Sequence, residues 1–439
     1  MKNRNLLETI RHSQFYKEQL KETPAIRWLL RRRNQLFFLK EKLLGIVRPE
    51  KRVDRLSDAI QAGKLDSYFN KTRGKYAVLY ITNDWGGGSE NYLRKACDSH
   101  REQGNNVYIL RYSKGKYALY LCFEGETKKF YLQSVGELLN YSSMIFLDEI
   151  VINQLTLYPN LLGTLKQIEQ MKETYGAKLT MLVHDYYALC PSFTLTSVEG
   201  KFCRDAKGES CNQCFQKWKF DELTECRDVT QWRKAWDSLL SKCDEIRCFS
   251  NDTLQRVQTI YGTEKTYTLI PHKVDYLRPI RKDKKTSQFL NIGILGALNT
   301  HKGVEAVQNI LHVIRERDLD IRIVLIGFLD GVRIKADSHF ACTGKYKIQD
   351  LPKLIVENDI DLFFIPSIWP ETFSYTTEEV VKMDMPLVTY NIGAPAERVS
   401  RYEKGLVINL DETPEVMIEK MISFQKKCTT MNKGSMVER

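Results

Sequence analysis

Short apolar runs alternate with stretches of helical periodicity through most of this chain. The first series of runs lies at residues 76–82, 106–111, 144–148, 178–183 and 245–250. After the first run, apolar and aromatic positions recur at the spacing of one helix face: Tyr92, Leu93, Ala96, Cys97 and His100. Buried strands that alternate with helices predict a parallel sheet with both faces covered.

A second series of apolar runs follows at residues 291–295, 321–326, 361–366 and 386–390, and a helix is predicted near 414–426. The charged stretch 278–288 separates the two series and is interpreted as an interdomain linker. We therefore predict an α/β protein with two Rossmann-like domains facing a cleft, at 76–277 and 278–412, and a C-terminal helix and tail at 413–439.

The length of 439 residues suits two domains with additional material. No apolar run reaches the roughly 18 residues that a membrane-spanning helix needs. Charges interrupt every apolar stretch near the N-terminus, so no signal peptide is expected. The 11 cysteines are irregularly spaced, unlike a secreted disulfide scaffold. These features predict a cytoplasmic protein.

The net charge of +11 is concentrated at one end, because residues 1–75 hold 19 Lys and Arg against 8 Asp and Glu. This segment is interpreted as a basic helical extension. Within it, residues 26–47 combine apolar pairs at heptad spacing with basic residues between them, which predicts a basic amphipathic helix. Either it lies on an anionic membrane surface or it packs on its own domain with a solvated basic face. No recognisable nucleic-acid-binding module is present.

The first strand ends in a glycine turn, Gly86-Gly87-Gly88, followed by Ser89 and a helix. Glycines at a strand-to-helix turn let the backbone approach a ligand, and the helix N-terminus attracts an anion such as a diphosphate. A tight turn without a ligand is the alternative, with Ser89 as a simple N-cap. The turn lacks the G-x-G-x-x-G pattern, which argues against a dinucleotide oxidoreductase.

A comparable turn in the second domain carries His301, Lys302 and Gly303 before a helix. Lys302 would lie at the helix N-terminus and the carboxyl end of a strand, where it could hold a diphosphate leaving group, or it could be a surface lysine. Glu371 follows the strand at 361–366, and Glu379 lies eight positions further on, in the next helix. Two carboxylates at one crevice can accept hydrogen bonds from the vicinal diols of a sugar and a ribose. The alternative is an exposed glutamate favoured by the helix dipole.

His184 follows the strand at 178–183 and could donate to a sugar or phosphate oxygen, although a lone histidine is more often a core residue. Downstream, an insert at 190–215 contains Cys203, Cys211 and Cys214 in the pattern C-x7-C-x2-C, with Cys190 before them. This pattern fits a structural zinc site, but reduced cysteines that brace a loop, or a disulfide, also fit. The acidic pairs at 318–320 and 359–361 precede strands, so we predict helix-to-strand turns and no metal role there.

Together these motifs resemble the family-4 glycosyltransferases of the GT-B fold, particularly those of bacterial surface-polysaccharide assembly, over residues 76–427. The motifs that carry the resemblance are GGGSE at 86–90, HDYYALCP at 184–191, the His301-Lys302-Gly303 turn, the Glu371 and Glu379 pair, and NIGAPAER at 391–398. One departure is the loop 296–299, which lacks an arginine that the family often carries.

The resemblance implies that the second domain binds a nucleotide sugar, with Glu379 on the ribose, Glu371 on the sugar hydroxyls and Lys302 on the diphosphate. The same donor site would include His301, Gly303, Phe373 and Ser374. From the first domain, His184 would contact the donor sugar and help stabilise the transition state. The glycines of the first turn, Gly86, Gly87 and Gly88, would approach the diphosphate from across the cleft.

The resulting hypothesis is a retaining hexosyltransferase that uses a nucleotide-sugar donor, needs no cofactor or catalytic metal, and acts on a glycan or lipid-linked acceptor. The alternative is a catalytically inactive GT-B protein that binds sugar nucleotides or serves as a scaffold subunit. The intact set of His184, Lys302, Glu371 and Glu379 favours the enzyme.

Overall fold

The computed structural model describes residues 54–197, 200–204, 209–280 and 287–434. The predicted basic helix at 26–47, and residues 281–286 of the predicted linker, lie outside these described residues. Within them the chain forms two α/β domains, each built on its own sheet. No helix of the described ranges is both long and apolar enough to cross a membrane.

The first domain contains an eight-stranded sheet in the order β4-β3-β2-β1-β5-β6-β7-β8. Its strands are β1 (Ala77–Asn83), β2 (Asn106–Ser113), β3 (Lys116–Phe123), β4 (Glu126–Leu132), β5 (Glu149–Ile152), β6 (Lys178–Leu182), β7 (Glu245–Cys248) and β8 (Tyr267–Leu269). The six strands β2, β1, β5, β6, β7 and β8 are parallel. Strands β3 and β4 extend this sheet with antiparallel pairing.

The antiparallel extension depends on two short turns. Lys114 and Gly115 connect β2 to β3, and Glu124 and Gly125 connect β3 to β4, all four with positive φ. Two consecutive residues with positive φ form the type I′ turn, whose twist matches that of the flanking strands. The second position of each turn is glycine, which adopts this conformation without strain.

The helices of the first domain are α1 (Leu56–Gln61), α2 (Asp66–Thr72), α3 (Gly87–Glu102), α4 (Leu161–Tyr175), α5 (Glu209–Lys217), α6 (Phe220–Thr224), α7 (Val229–Lys242) and α8 (Asn251–Tyr261). The first two helices belong to the core, because Leu56, Leu65 and Tyr68 are buried in the same hydrophobic cluster as β1 and β2. The strand predicted at 144–148 is wrong. Residues 144–148 form a turn and loop that leads into β5, with Ile145 and Leu147 buried against the core.

The second domain contains a six-stranded, fully parallel sheet in the order β11-β10-β9-β12-β13-β14. Its strands are β9 (Leu290–Leu298), β10 (Ile321–Leu329), β11 (Phe340–Cys342), β12 (Leu362–Ile365), β13 (Leu387–Tyr390) and β14 (Gly405–Ile408). In domain numbering this is the order 3-2-1-4-5-6 of dinucleotide-binding sheets, in which the direction of strand addition reverses between β9 and β12. Ligands bind at the carboxyl ends of the strands at such a reversal.

The helices of the second domain are α9 (Val304–Glu316), α10 (Leu351–Glu357), α11 (Tyr375–Lys382), α12 (Gly393–Val399) and α13 (Pro414–Gly434). The predicted C-terminal helix is present and extends beyond its predicted end. It packs on the second domain through Met417, Ile418 and Met421. Both predicted Rossmann-like sheets are therefore present, and the predicted α/β fold class is confirmed.

Candidate functional site

The loop after β9 brings Lys302 to the point where the sheet order reverses. Asn299 accepts a hydrogen bond from the Lys302 backbone N–H through Oδ1 at 3.1 Å, which closes the loop just before α9. The Lys302 ammonium lies 2.7 Å from Oε1 of Glu371, and 5.9 Å from the ring centre of Trp369. Lys302 and Glu371 are thus brought together, as an ion pair.

Gly303 is required for this approach. Its φ is +80°, and a Cβ there would lie 1.9 Å from the carbonyl oxygen of Pro366. Any larger residue would push the Lys302 loop away from the loop that follows β12. The glycine therefore determines the distance between the two loops, and with it the ion pair.

Glu371 is held from several directions. Ser367 donates a hydrogen bond to its Oε1, and the backbone N–H of Ala394 donates to its carbonyl oxygen at 2.9 Å. Only 4% of Glu371 is exposed, whereas 37% of the Lys302 side chain is exposed. The ammonium is therefore accessible to a ligand, while the carboxylate is fixed beneath it.

Glu379 lies on α11, which begins directly after this loop. Ser374 caps the helix by accepting a hydrogen bond from the Thr377 N–H, so Phe373 and Ser374 adjoin its N-terminus. Burial raises the pKa of the Glu379 carboxyl to about 7, and a hydrogen bond from Tyr276 partly offsets this rise. The Tyr276 hydroxyl donates to Oε1 of Glu379 at 2.7 Å.

His184 stands at the carboxyl end of β6, half-buried. Its Nε2 lies 3.2 Å from Oδ1 of Asn153, whose amide nitrogen donates to the Thr82 hydroxyl at 3.0 Å. This orientation of Asn153 makes His184 Nε2–H the donor and leaves a lone pair on Nδ1. Burial lowers the pKa of the His184 imidazole, and neighbouring His272 lowers it further, so the ring is neutral.

Aromatic rings pack around this imidazole. Phe249 and His272 stack on it at centroid distances of 4.6 and 5.6 Å, and Tyr92 meets it edge-on at 5.2 Å. His272 also stacks on Tyr375 of the second domain at 5.2 Å. The stacked aromatic rings therefore extend from the first domain into the second.

Hydrogen bonds between side chains and backbone groups hold the two domains together at the same place. The Thr372 hydroxyl donates to the His184 carbonyl oxygen at 2.9 Å, directly beside Glu371. The Asp252 N–H at the start of α8 donates to the Glu397 carboxylate at 2.8 Å. His184 of one domain and the loop that carries Glu371 in the other therefore meet at the same interdomain contact.

The glycine turn of the first domain also lies at the contact between the two domains. Gly86 and Gly87 have φ of +78° and +74°, and a Cβ on Gly88 would lie 3.1 Å from the Tyr375 ring. Ser89 does not cap α3. Its hydroxyl donates to Gln154 at 3.0 Å.

His301 lies near the first domain, with its ring centre 6.5 Å from that of Phe193. Burial lowers the pKa of His301, and the Lys302 charge adds to this effect.

Sequence reasoning missed five residues that shape the site: Asn153, Gln154, Asp185, His272 and Tyr276. Asn153 and Gln154 directly follow the apolar strand β5, so the carboxyl-end rule that selected His184 could have selected them. Asp185 accepts hydrogen bonds from Gln154 and Thr156 and fixes the His184 turn. Tyr276 and His272 reach the site only through tertiary packing, for which the sequence carries no signal.

The two acidic pairs occupy helix-to-strand turns before β10 and β12, as predicted. Asp361, for example, accepts a hydrogen bond from the Asn291 N–H at 2.9 Å. Among the described residues, no three His, Cys, Asp or Glu side chains are placed as a metal-binding group, and this includes Cys203, Cys211 and Cys214.

Residues 290–426, in the second domain, match the family model described as glycosyl transferases group 1. No curated protein sequence matches the chain. HepE of Anabaena, solved with UDP-glucose, shares 14% identity at a TM-score of 0.52, covering 81% of this chain and 90% of that one.

Two further solved structures are similar. Sucrose-phosphate synthase of Thermosynechococcus elongatus shares 12% identity at a TM-score of 0.52, over 80% of this chain and 91% of that one. The catalytic domain of starch synthase IV from Arabidopsis thaliana, bound to ADP and acarbose, shares 13% identity at a TM-score of 0.50. The match covers 81% of this chain and 92% of that one. At these identities the likeness shows the fold, which is that of GT-B glycosyltransferase structures.

Replacing Glu379 by glutamine should flatten the pH dependence of stability. The carboxyl's folded-state pKa of about 7 exceeds its usual 4.5, so the folded protein retains a proton that the unfolded chain releases. The free energy of unfolding therefore falls as pH rises from 4.5 to 7. We expect wild-type protein to lose about 2–3 kcal/mol more than Glu379→Gln between pH 5 and pH 8, measured by urea unfolding.

The exposed Glu419 provides the matched control, because Glu419→Gln should follow the wild-type pH profile. Identical profiles for wild type and Glu379→Gln would contradict the raised pKa.

Proposed function

We propose that this chain is a retaining glycosyltransferase that moves a hexose-type sugar from a nucleotide-sugar donor to a glycan or lipid-linked acceptor, in bacterial surface-polysaccharide biosynthesis. The observation that most supports the proposal is the ion pair of Lys302 and buried Glu371 at the sheet reversal, next to Thr372, whose hydroxyl donates to the His184 carbonyl of the other domain. The family match of the second domain and the GT-B fold agree with it.

In the donor site, Lys302 would bind the diphosphate. Its ammonium is accessible, and Lys302 directly precedes α9, so the backbone N–H groups of that helix N-terminus add to the positive potential. A diphosphate would then compete with Glu371 for the ammonium. The Lys302 ammonium and the backbone N–H groups would offset the negative charge of the leaving diphosphate. For this reason we propose a transfer that needs no catalytic metal.

The carboxylates would bind the hydroxyl groups of the donor. Glu379 would accept hydrogen bonds from the ribose diol in place of the Tyr276 hydroxyl that it now binds. Glu371, once its ammonium partner turns to the diphosphate, would accept from the hydroxyls of the sugar. His184 would face the sugar from the first domain.

The protonation of His184 changes its expected role. Because Nε2–H donates to Asn153, the imidazole offers the Nδ1 lone pair, so we expect it to accept from a sugar hydroxyl. Donation to a sugar oxygen, which the sequence suggests, would require the Asn153 bond to break.

The transfer itself would be a same-face displacement. The bond between the anomeric carbon and the diphosphate breaks, the acceptor oxygen bonds to that carbon on the same face, and the acceptor proton passes to the departing phosphate oxygen. The protein then contributes charge stabilisation of an oxocarbenium-like transition state and positioning between the closed domains.

Glu371→Ala should abolish turnover while nucleotide binding persists, because the variant loses a contact to the sugar and keeps Lys302 and Glu379. The measurement is release of nucleoside diphosphate from a panel of nucleotide sugars by purified protein, with chelator present. Binding is followed by calorimetry with UDP, ADP and GDP. We expect a loss of at least about a hundredfold in rate, comparable to removal of an electrostatic catalytic group.

Glu357→Ala serves as the control, since Glu357 is an exposed carboxylate on the same domain and should leave turnover unchanged. Turnover in Glu371→Ala equal to wild type would remove Glu371 from the site. Nucleotide binding without any turnover in wild type would instead favour the catalytically inactive scaffold.

We also propose that the protein acts at the inner face of the cell membrane, attached through the basic segment at 26–47 to anionic lipid. This proposal rests on the charge pattern of the sequence, because the segment lies outside the described residues. A lipid-linked acceptor would be reached from such a position.

Replacing Arg31, Arg32 and Arg33 by glutamine should weaken sedimentation with phosphatidylglycerol vesicles by roughly a hundredfold, at about 1 kcal/mol for each basic residue near the surface. Removal of residues 1–53 should release the protein fully. The deletion stops there because Leu56 and Leu65 belong to the folded core. Glutamine at three exposed arginines of the second domain, Arg317, Arg333 and Arg401, is the control. Equal binding by the truncated protein would refute membrane attachment.

A further inference from the structure

Four cysteines that have no role in the proposed transfer line one cavity of about 320 Å³ in the first domain. They are Cys190, Cys203, Cys211 and Cys214, and we call this space the thiol cavity. None of the four forms a disulfide. Four thiols around one small space are a set of soft ligands, and this requires an explanation beyond packing.

Separate segments deliver these thiols. Cys190 ends the turn that begins at His184, with its N–H bonded to the Tyr186 carbonyl at 2.9 Å. Cys203 is held beside Leu195 by a backbone hydrogen bond of 2.7 Å. Cys211 and Cys214 lie three residues apart on α5, so both can face the cavity. Residues distant in sequence therefore line the same cavity.

A fixed cation borders the thiol cavity. Arg233 of α7 donates through Nε to the Leu189 carbonyl at 3.0 Å, and its Nη2 lies 4.0 Å from the Cys211 sulfur. Four thiolates around a divalent metal carry a net charge of about −2, which a neighbouring guanidinium would offset. Arg233 thus lies where it would offset part of that charge.

We propose that the thiol cavity binds one structural Zn²⁺ through the sulfurs of Cys190, Cys203, Cys211 and Cys214. Zinc favours four tetrahedral ligands with Zn–S distances of about 2.3 Å, and C-x2-C on one element is a common half of such a site. In the described part of the chain, no three such side chains yet stand close enough to share a metal. Binding would therefore draw the thiols inward as each sulfur releases its proton.

The metal would brace a segment that touches both domains. Phe202, beside Cys203, packs against the hydrophobic cores of both domains, and Arg256 lies 5.3 Å from its ring centre. Arg204 forms an ion pair with Asp411 of the second domain. Zinc would thus stabilise the insert next to the His184 turn, and the inference holds whether or not the chain transfers sugar.

The test is metal binding to the full-length, reduced protein. Protein purified without chelator should contain close to one zinc per chain by elemental analysis. After the metal is removed, Co²⁺ should restore one site with thiolate-to-cobalt charge-transfer absorption and the intense d–d bands of tetrahedral cobalt, and Zn²⁺ should displace it. Cys190→Ser, Cys211→Ser and Cys214→Ser should each lose the tetrahedral spectrum. Cys342→Ser, at an exposed cysteine on β11, should retain it.

An octahedral cobalt spectrum, or a tetrahedral one that survives all three serine variants, would overturn the proposal. A disulfide among the four cysteines, found by mass spectrometry of unreduced protein, would do the same. If the serine variants fail to fold, alkylation of wild-type protein decides. Zinc should protect four thiols from modification, and equal modification with and without zinc would contradict the site.

Discussion

A carboxylate removed from water must be paired with a cation or with hydrogen-bond donors, because an unpaired buried charge is prohibitively costly. Glu371 is such a group, and its partners are the Lys302 ammonium and the Ser367 hydroxyl. This pairing is achieved only because Gly303 approaches the Pro366 carbonyl without a Cβ. The two loops at the sheet reversal are therefore fixed relative to each other before any ligand arrives. The cation that completes the pair is partly exposed, and it is the group that we propose to hold a diphosphate.

The same loop joins the domains. Thr372 follows Glu371 and donates to the His184 carbonyl, and its own carbonyl accepts from Thr253 of the first domain at 3.4 Å. Any opening of the cleft would therefore separate His184 from the carboxylate side of the site. Closure of the domains therefore also assembles the site, as the proposed transfer requires if water is to be excluded from the donor.

Most of the fold followed from periodicity, because buried parallel strands are continuous apolar runs that few other elements imitate. The antiparallel strands β3 and β4 were missed although their turns carry Lys114-Gly115 and Glu124-Gly125, a signal that was present in the sequence. The prediction of a strand at 144–148 is wrong because Ile145 and Leu147 are buried from a loop, and a short apolar run does not distinguish a buried loop from a strand. The sequence locates the polar side chains at the strand ends, but it does not reveal their hydrogen-bond partners. Hydrogen bonds such as Tyr276 to Glu379 join residues far apart in the chain and arise only in the packed structure.

The most direct test of the central claim is a crystal structure of the protein with a bound, non-transferable nucleotide sugar, whose sugar hydroxyls can replace the ammonium on buried Glu371. We expect the Lys302 ammonium to contact the diphosphate instead of Glu371. We also expect the ribose hydroxyls to replace the Tyr276 hydroxyl on Glu379. His184 should remain within contact of the space beside the β-phosphate. A nucleotide bound away from the reversal between β9 and β12, with the ion pair of Lys302 and Glu371 undisturbed, would contradict it.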